Sequence, residues 1–372
     1  MANTITNHKC PACMGPLNFS SASGKLECEY CDSSFTVEEI EKLFAQQEQQ
    51  AAGAMEEAEG SILQETPDWD TSQMSEDWGE DADTMRSYSC PSCGAELICD
   101  ATTAATACPY CGNPTIIPGQ FRGALKPDHV IPFKLEKQDA IAALKRHYKG
   151  KLFLPNTFLD THTIEKIQGV YVPFWLFDGC VSGEFLFHGT HSHRYRRGDK
   201  EITEINHFLM ERQGSMEFEK VPVDASSKMP DAHMDAIEPF YYEDMKPFST
   251  AYLPGFLADK YDLTEEQTKE RADQRCIQSL ENAMYDTVLG YEMRDLRRRN
   301  VSIQRGKAHY ALLPVWLLSV RWENEVYLFA VNGQTGKTAG DLPVSRKKVM
   351  AFFAALAAPL SALAAALACI LV

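Results

Sequence analysis

Eight of the twelve cysteines in this 372-residue chain obey one spacing, Cys-x2-Cys-x14-Cys-x2-Cys, and the spacing occurs twice. The first set is Cys10, Cys13, Cys28 and Cys31. The second is Cys90, Cys93, Cys108 and Cys111, displaced by 80 residues at every position. Thiolates in this arrangement bind a tetrahedral metal ion. Two residues between cysteines let one tight turn aim both sulfurs at a single ion, and a 14-residue insert lets a hairpin bring a second turn opposite the first. The expectation is two structural Zn2+ ions, one per set. Four thiolates leave no open coordination position, so neither site is expected to be catalytic. Redox dithiols are the competing chemistry, but paired CxxC turns without a βαβ context argue against them.

The elements that must position these thiolates are turns and short strands. Cys90-Pro91-Ser92-Cys93-Gly94 and Cys108-Pro109-Tyr110-Cys111-Gly112 supply Pro and Gly where knuckle turns use them. The first set is less regular, with Met14 and Asp32 in the Gly positions. Each ribbon is too small to fold by burial alone, so metal binding and folding coincide. No export signal is read at the N-terminus, and a reducing compartment with metal-bound thiols is the consistent expectation.

Charge divides the chain. Residues 43–85 hold twelve Asp or Glu and no Lys or Arg, most of the net charge of −16. That stretch lacks a sustained apolar period and is read as a disordered acidic spacer, with Trp69 and Trp78 set among its acids. Thr36-Val37-Glu38-Glu39 is a capping-box pattern that opens a short helix carrying Ile40, Leu43 and Phe44. At the other end, Val349 to Val372 carries no charge and follows Arg346, Lys347 and Lys348. Such a run predicts a transmembrane tail anchor whose basic flank keeps the bulk of the chain in the cytoplasm. Ala354, Ala358, Ala362 and Ala366 offer a small-residue face for pairing with a second tail helix.

The resulting fold class is α+β: two small four-cysteine zinc ribbons, an α+β domain with antiparallel strands, and one C-terminal transmembrane helix. The expected domains are ribbon 1 with its short helix at 1–45, the acidic linker at 46–86, ribbon 2 at 87–121, the α+β domain at 122–345, and the basic flank with its tail at 346–372. Within the α+β domain, helices are read at Lys137–His147 and from Leu263 to about Tyr285. Strands are read at Val170–Phe177, Glu184–Phe187, Ala311–Trp322 and Val326–Val331. Val172-Pro173-Phe174-Trp175-Leu176 is echoed by Leu313-Pro314-Val315-Trp316-Leu317. This predicts a duplicated strand-hairpin unit preceded by a helix, with both Trp side chains in the core.

Other groups look chemical without forming a site. Asn332-Gly333-Gln334-Thr335-Gly336-Lys337-Thr338 ends like a phosphate-binding loop, yet Val331 stands where the first Gly is required, and a hairpin turn fits better. His188, His191 and His193 alternate beside Arg194, Arg196 and Arg197, a solvated basic hairpin. Arg297-Arg298-Arg299 is read as exposed or as a contact for phosphate or lipid. Cys99, Cys180, Cys276 and Cys369 lack paired spacing and are read as ordinary thiols. No Ser/His/Asp or paired-carboxylate arrangement emerges, so no enzyme is expected.

The two ribbons, the acidic linker, the segments Val170–Trp175, Tyr310–Trp316 and Val331–Pro343, and the apolar tail resemble bacterial membrane-anchored zinc-ribbon proteins of the YdjG type. Such proteins often carry labels of transcription-factor zinc ribbons or PriA-like replication-restart helicases. The resemblance implies a membrane-associated adaptor that recruits protein partners, among them SPFH (flotillin-like) scaffolds. The alternative is a nucleic-acid-binding ribbon protein. Phosphate binding needs a basic footprint. Residues 88–113 contain Glu96 and Asp100 and no Lys or Arg, and residues 8–35 set Lys9 and Lys25 against Glu27, Glu29 and Asp32.

Overall fold

The computed structural model describes residues 10–11, 17–20, 23, 25–28, 33–40, 42–43, 45–46, 68–72, 74, 78–100, 103, 107–119 and 125–371. Its strands are β1 (Leu17–Ser20), β2 (Lys25–Cys28), β3 (Ser34–Phe35), β4 (Met85–Ser89), β5 (Glu96–Asp100), β6 (Ile117–Gly119), β7 (His129–Val130), β8 (Gln168–Arg197), β9 (Lys200–Asp224), β10 (Lys246–Pro247), β11 (Leu257–Asp259), β12 (Met293–Trp322), β13 (Glu325–Asn332) and β14 (Thr338–Gly340). The first three form their own sheet. The other eleven form a second, ordered β10-β7-β12-β8-β11-β5-β4-β6, with β13 and β14 continuing from β12 and β9 attached to β8.

This corrects the expected fold class. The chain is a large sheet-rich structure with few helices, and its sheet is mixed, because β11 runs parallel to β8 and β7 parallel to β12. The strands around the second cysteine set belong to that sheet. β5 pairs with β11 through Leu97↔Asp259 and Ile98↔Ala258. Backbone groups left at a ribbon edge must find partners, and a neighbouring strand of the large sheet supplies them.

β8 also runs further than its sequence suggests. The pattern across 170–187 reads as two short strands separated at the glycines. Instead Gly179 and Gly183 lie inside one strand where β12 comes close: a Cβ on either would stand 2.9 Å from a β12 carbonyl oxygen, Gln304 and Asn300 respectively. Here glycine marks close backbone approach, not a turn.

Two compact units emerge. One takes the described residues up to Asp70 with Asp178–Val221 and Arg271–Lys307. It holds a core of Val181, Phe185, Phe187, Met210, Cys276, Leu280 and Val288 beneath helix Glu265–Asp286. Arg305 binds Asp273 at 2.6 Å on that helix, and Arg294 lies 4.3 Å over the Tyr285 ring. The same unit contains the β1–β3 sheet, centred on Leu17, Leu26 and Ile40. The expected capping box forms there: Glu39 N donates to Thr36 Oγ1 and Thr36 N to Glu39 Oε2. Ile40 is buried, while Leu43 is exposed.

The second unit comprises Thr71–Phe177, Pro222–Glu270 and Ala308 onward, and is organised by the internal echo. Pro173 O accepts from Ala225 N (2.9 Å), and Pro314 O accepts from Gly333 N (2.8 Å). Ala225 O in turn accepts from Asp262 N and Leu263 N, and Gly333 O from Lys134 N and Leu135 N. Trp175 Nε1 donates to Leu263 O at 2.9 Å; Trp316 Nε1 donates to Leu135 O at 3.2 Å. Leu135 leads into helix Lys137–Tyr148 and Leu263 into helix Glu265–Asp286. Each half therefore braces the entry to the other half's helix. Both Trp side chains are buried.

Within 46–86, Trp69 and Trp78 are both buried, and Trp78 meets Phe248 edge to face at 5.6 Å. Lys126 binds Asp81 at 3.0 Å.

The tail is a helix, Arg346–Leu371, with Pro359 inside it. Among the described residues, however, no helix is long and apolar enough to cross a membrane. This overturns the expected transmembrane tail anchor and the single-pass membrane placement with its cytoplasmic orientation. Arg346, Lys347 and Lys348 open the helix, Pro359 interrupts it, and its described side chains end at Ser361. Its first turn is also tied to the folded domain: Ser345 N donates to Phe153 O, Lys348 Nζ to Leu154 O at 2.6 Å, and Phe352 packs edge-on against Phe153.

Candidate metal centre

The second cysteine set is built by two turns of the same design. Gly94 N donates to Cys90 O and Cys90 N to Ala95 O, both at 2.9 Å. Gly112 N donates to Cys108 O and Cys108 N to Asn113 O, again at 2.9 Å. Gly94 and Gly112 close these turns at φ +72° and +68°, a region that costs a side chain. β4 pairs with β5 on one side and β6 on the other, with Ser89 opposite both Glu96 and Ile117. That register sets the two turns beside each other.

The four sulfurs converge. Cys90 Sγ lies 3.6 Å from Cys111 Sγ, and Cys93 Sγ lies 3.6 Å from Cys108 Sγ. All four lie within 4.8 Å of one another. These contacts are far too long for a disulfide, whose S–S bond is about 2.05 Å. They fit a tetrahedron, whose S···S edge is about 3.8 Å when each metal–sulfur bond is about 2.3 Å. The cluster could hold a metal ion. Cys90 and Cys108 are buried, and Cys93 and Cys111 partly exposed.

Without a metal charge, four thiols at this separation cannot ionise together. Burial pushes the Cys93 thiol up to about 11 and that of Cys108 further up. Burial also raises Cys90, but hydrogen bonds from the Cys93 and Ser92 backbone and from the neighbouring thiols outweigh it and bring Cys90 down to about 7. Metal binding must displace protons from the rest.

Residues that sequence reasoning did not select complete the surroundings. Tyr110, between the second pair of ligands, is buried and donates its hydroxyl to Asp259 Oδ2 at 2.6 Å; Ser226 Oγ donates to the same oxygen at 2.6 Å. Asp259 is itself buried, and desolvation pushes its carboxyl from 3.8 up to about 7, against the opposing pull of the Ser226 and Tyr110 bonds. Lys228 pairs with Asp262 at 3.0 Å. Cys90, Cys108 and Tyr110 share one core with Val172, Phe174, Leu313 and Leu317. A bulky aromatic between CxxC ligands was the available signal, since a knuckle that faced only water would not place Tyr there.

The first set is described in part. Cys10 and Cys28 are buried, and Cys28 N donates to Ser33 O at 2.9 Å, the same five-residue bond made by Cys90 and Cys108. Cys13 and Cys31 lie outside the described residues.

A protein of Bacillus subtilis (strain 168) named uncharacterized protein YdjG is 35% identical to this chain, over 73% of the chain and 94% of the relative. The chain belongs to the YdjG family. No protein-family model matches it, and no solved structure matches it. Kinship with YdjG thus gives the family and leaves the chemistry to be argued from the residues.

His188 bonds Asp295 through Nδ1 (3.3 Å) and His207 through Nε2 (3.0 Å). Those bonds use both ring nitrogens, and among the described residues no group besides the four cysteines gathers metal-ligand atoms this closely. Arg297 pairs with Asp295 and Arg299 with Glu281. The Gly-Lys segment closes a β13–β14 hairpin. Asn332 Oδ1 accepts from Gln334 N and Thr335 N, and Gly336 N donates to Asn332 O, so those amides bond within the turn. Burial raises the Cys99 and Cys276 thiols to about 11 and raises Cys180 as well, as inert thiols require. The Cys369 side chain lies outside the described ones.

Proposed function

We propose that this protein is a non-enzymatic, zinc-stabilised adaptor that recruits protein partners. The supporting observation is the closed set of four sulfurs, integrated into a hydrophobic core. Cysteine-only, tetrahedral coordination favours zinc, and four protein ligands leave no position for substrate. The first cysteine set repeats the spacing and part of the turn geometry, so two zinc ions per chain are proposed. The first partner to test is an SPFH (flotillin-like) scaffold protein, the class that the family resemblance implies.

The nucleic-acid reading finds less support. Neither ribbon carries a basic footprint, and three arginines elsewhere are paired locally: Arg297 with Asp295, Arg299 with Glu281 and Arg194 with Glu201. The test is crosslinking and affinity purification of the full chain from its own cell, with a variant lacking residues 1–46 as comparison. The adaptor reading expects a protein partner that is recovered with the full chain and lost with the truncation. Sub-micromolar DNA binding that weakens steeply with salt, with no protein partner, would replace it by the nucleic-acid reading.

A further inference from the structure

The acidic stretch touches the fold at a defined point. Trp69 is 7% exposed, although it lies among carboxylates in a segment with no apolar period. Its ring rests over Gly179: a Cβ there would stand 3.4 Å from two indole carbons. The next residue adds to β12 as a single parallel rung, with Asp70 opposite Lys307 and Asp70 N donating to Gly306 O at 2.9 Å. The preceding residue, Asp68, places its charge near Arg305, which already holds Asp273. One backbone bond, one indole and one carboxylate–guanidinium attraction thus grip three consecutive residues. Their order, acid-aromatic-acid beside a strand, is that of a short linear motif added to a strand edge.

We propose that the β12 edge at Arg305–Lys307, with its slot over Gly179, is a docking site for an acidic peptide with a central tryptophan, filled in cis by Asp68-Trp69-Asp70. A site of this kind gives an adaptor an exchangeable contact. Ordering three backbone residues costs about as much as burying one indole returns, so the segment is held mainly by its covalent tether. A tethered ligand acts at an effective concentration of about millimolar. It therefore screens the slot against weak competitors and yields to a partner that presents the same chemistry more strongly. The recruiting role of this site rests on the adaptor reading; the site itself does not.

The experiment uses the full chain and a fluorescein-labelled peptide covering residues 65–74. Removing the tethered ligand should expose the slot, so Trp69→Ala should bind the peptide with saturation, about tenfold or more tighter than the unaltered chain does. Asp70→Pro, which deletes the amide donor and leaves the indole, should show a smaller gain. A peptide with Ala for Trp should not compete. In the unaltered chain, hydrogen exchange at the Asp70 amide should proceed by local opening, much faster than at Leu313. The proposal is overturned if the folded variants do not bind the peptide, or if all chains bind it equally. It is also overturned if both variants unfold or the Asp70 amide exchanges only with global unfolding, because the segment would then be a structural strap. Failure to capture a protein partner would weaken the adaptor reading and leave these results unchanged.

Discussion

At the scale of single residues, the set Cys90, Cys93, Cys108 and Cys111 was legible because its chemistry fixes its spacing, whereas Asp259 was not. Nothing in Leu257-Ala258-Asp259 says that the carboxylate is buried, and its partners Tyr110 and Ser226 are 149 and 33 residues away. Its titration carries a prediction. The carboxyl is ordinary at 3.8 when unfolded and about 7 when folded, so between those values the folded chain holds the extra proton. Stability from this group is therefore fully present below about 3.8 and is lost as pH rises through about 7. With zinc saturating, denaturant midpoints between about pH 6 and 8 should fall with pH in the unaltered chain and change less in Asp259→Asn; equal slopes would contradict this. Tyr110→Phe removes one donor from that buried carboxylate and should cost about 1–3 kcal/mol in the same measurement. Gly112→Ala should cost more than Gly94→Ala. Both take positive φ, but only at Gly112 does the new Cβ also meet Ser319 Oγ, at 3.2 Å.

At the scale of elements, the apolar runs located the strands, and a capping pattern located the short helix after Thr36. Helix Lys137–Tyr148 starts where the pattern places it because Glu136 and Asp139 form a reciprocal cap. What could not be read was partnership. Gly179 and Gly183 signal close approach only once β12 is known to lie alongside, and the mixed sheet follows from β7 and β11, strands of two and three residues. The tail shows the opposite case: its uncharged run was legible, but the contacts of its first turns with Phe153 and Leu154 were not. The echoed Pro-x-Trp segments were visible, but their reciprocal bracing was not. If that bracing holds the halves together, Trp175→Phe and Trp316→Phe should each lower stability by about 1 kcal/mol through loss of one N–H donor to a backbone carbonyl. Unchanged denaturant midpoints in both variants would show that the bonds contribute nothing.

At the scale of the whole molecule, the second ribbon is part of a larger core, so metal should stabilise more than its own turns. Cys90 and Cys108 pack with Val172 and Leu313 from β8 and β12. Chelation of the full chain should therefore speed hydrogen exchange along Val170–Phe177 and Leu312–Leu317 as well as in residues 85–119. Loosening confined to 85–119 would mean that the ribbon folds independently of the sheet. The central claim, that closed tetrathiolate zinc sites hold this chain together, is tested most directly by native mass spectrometry of the full chain and its Cys108→Ser variant. The account predicts two zinc ions on the unaltered chain and one on the variant, with a lower melting temperature for the variant. Iron, a disulfide between Cys90 and Cys111, or a metal-free chain of undiminished stability would contradict it.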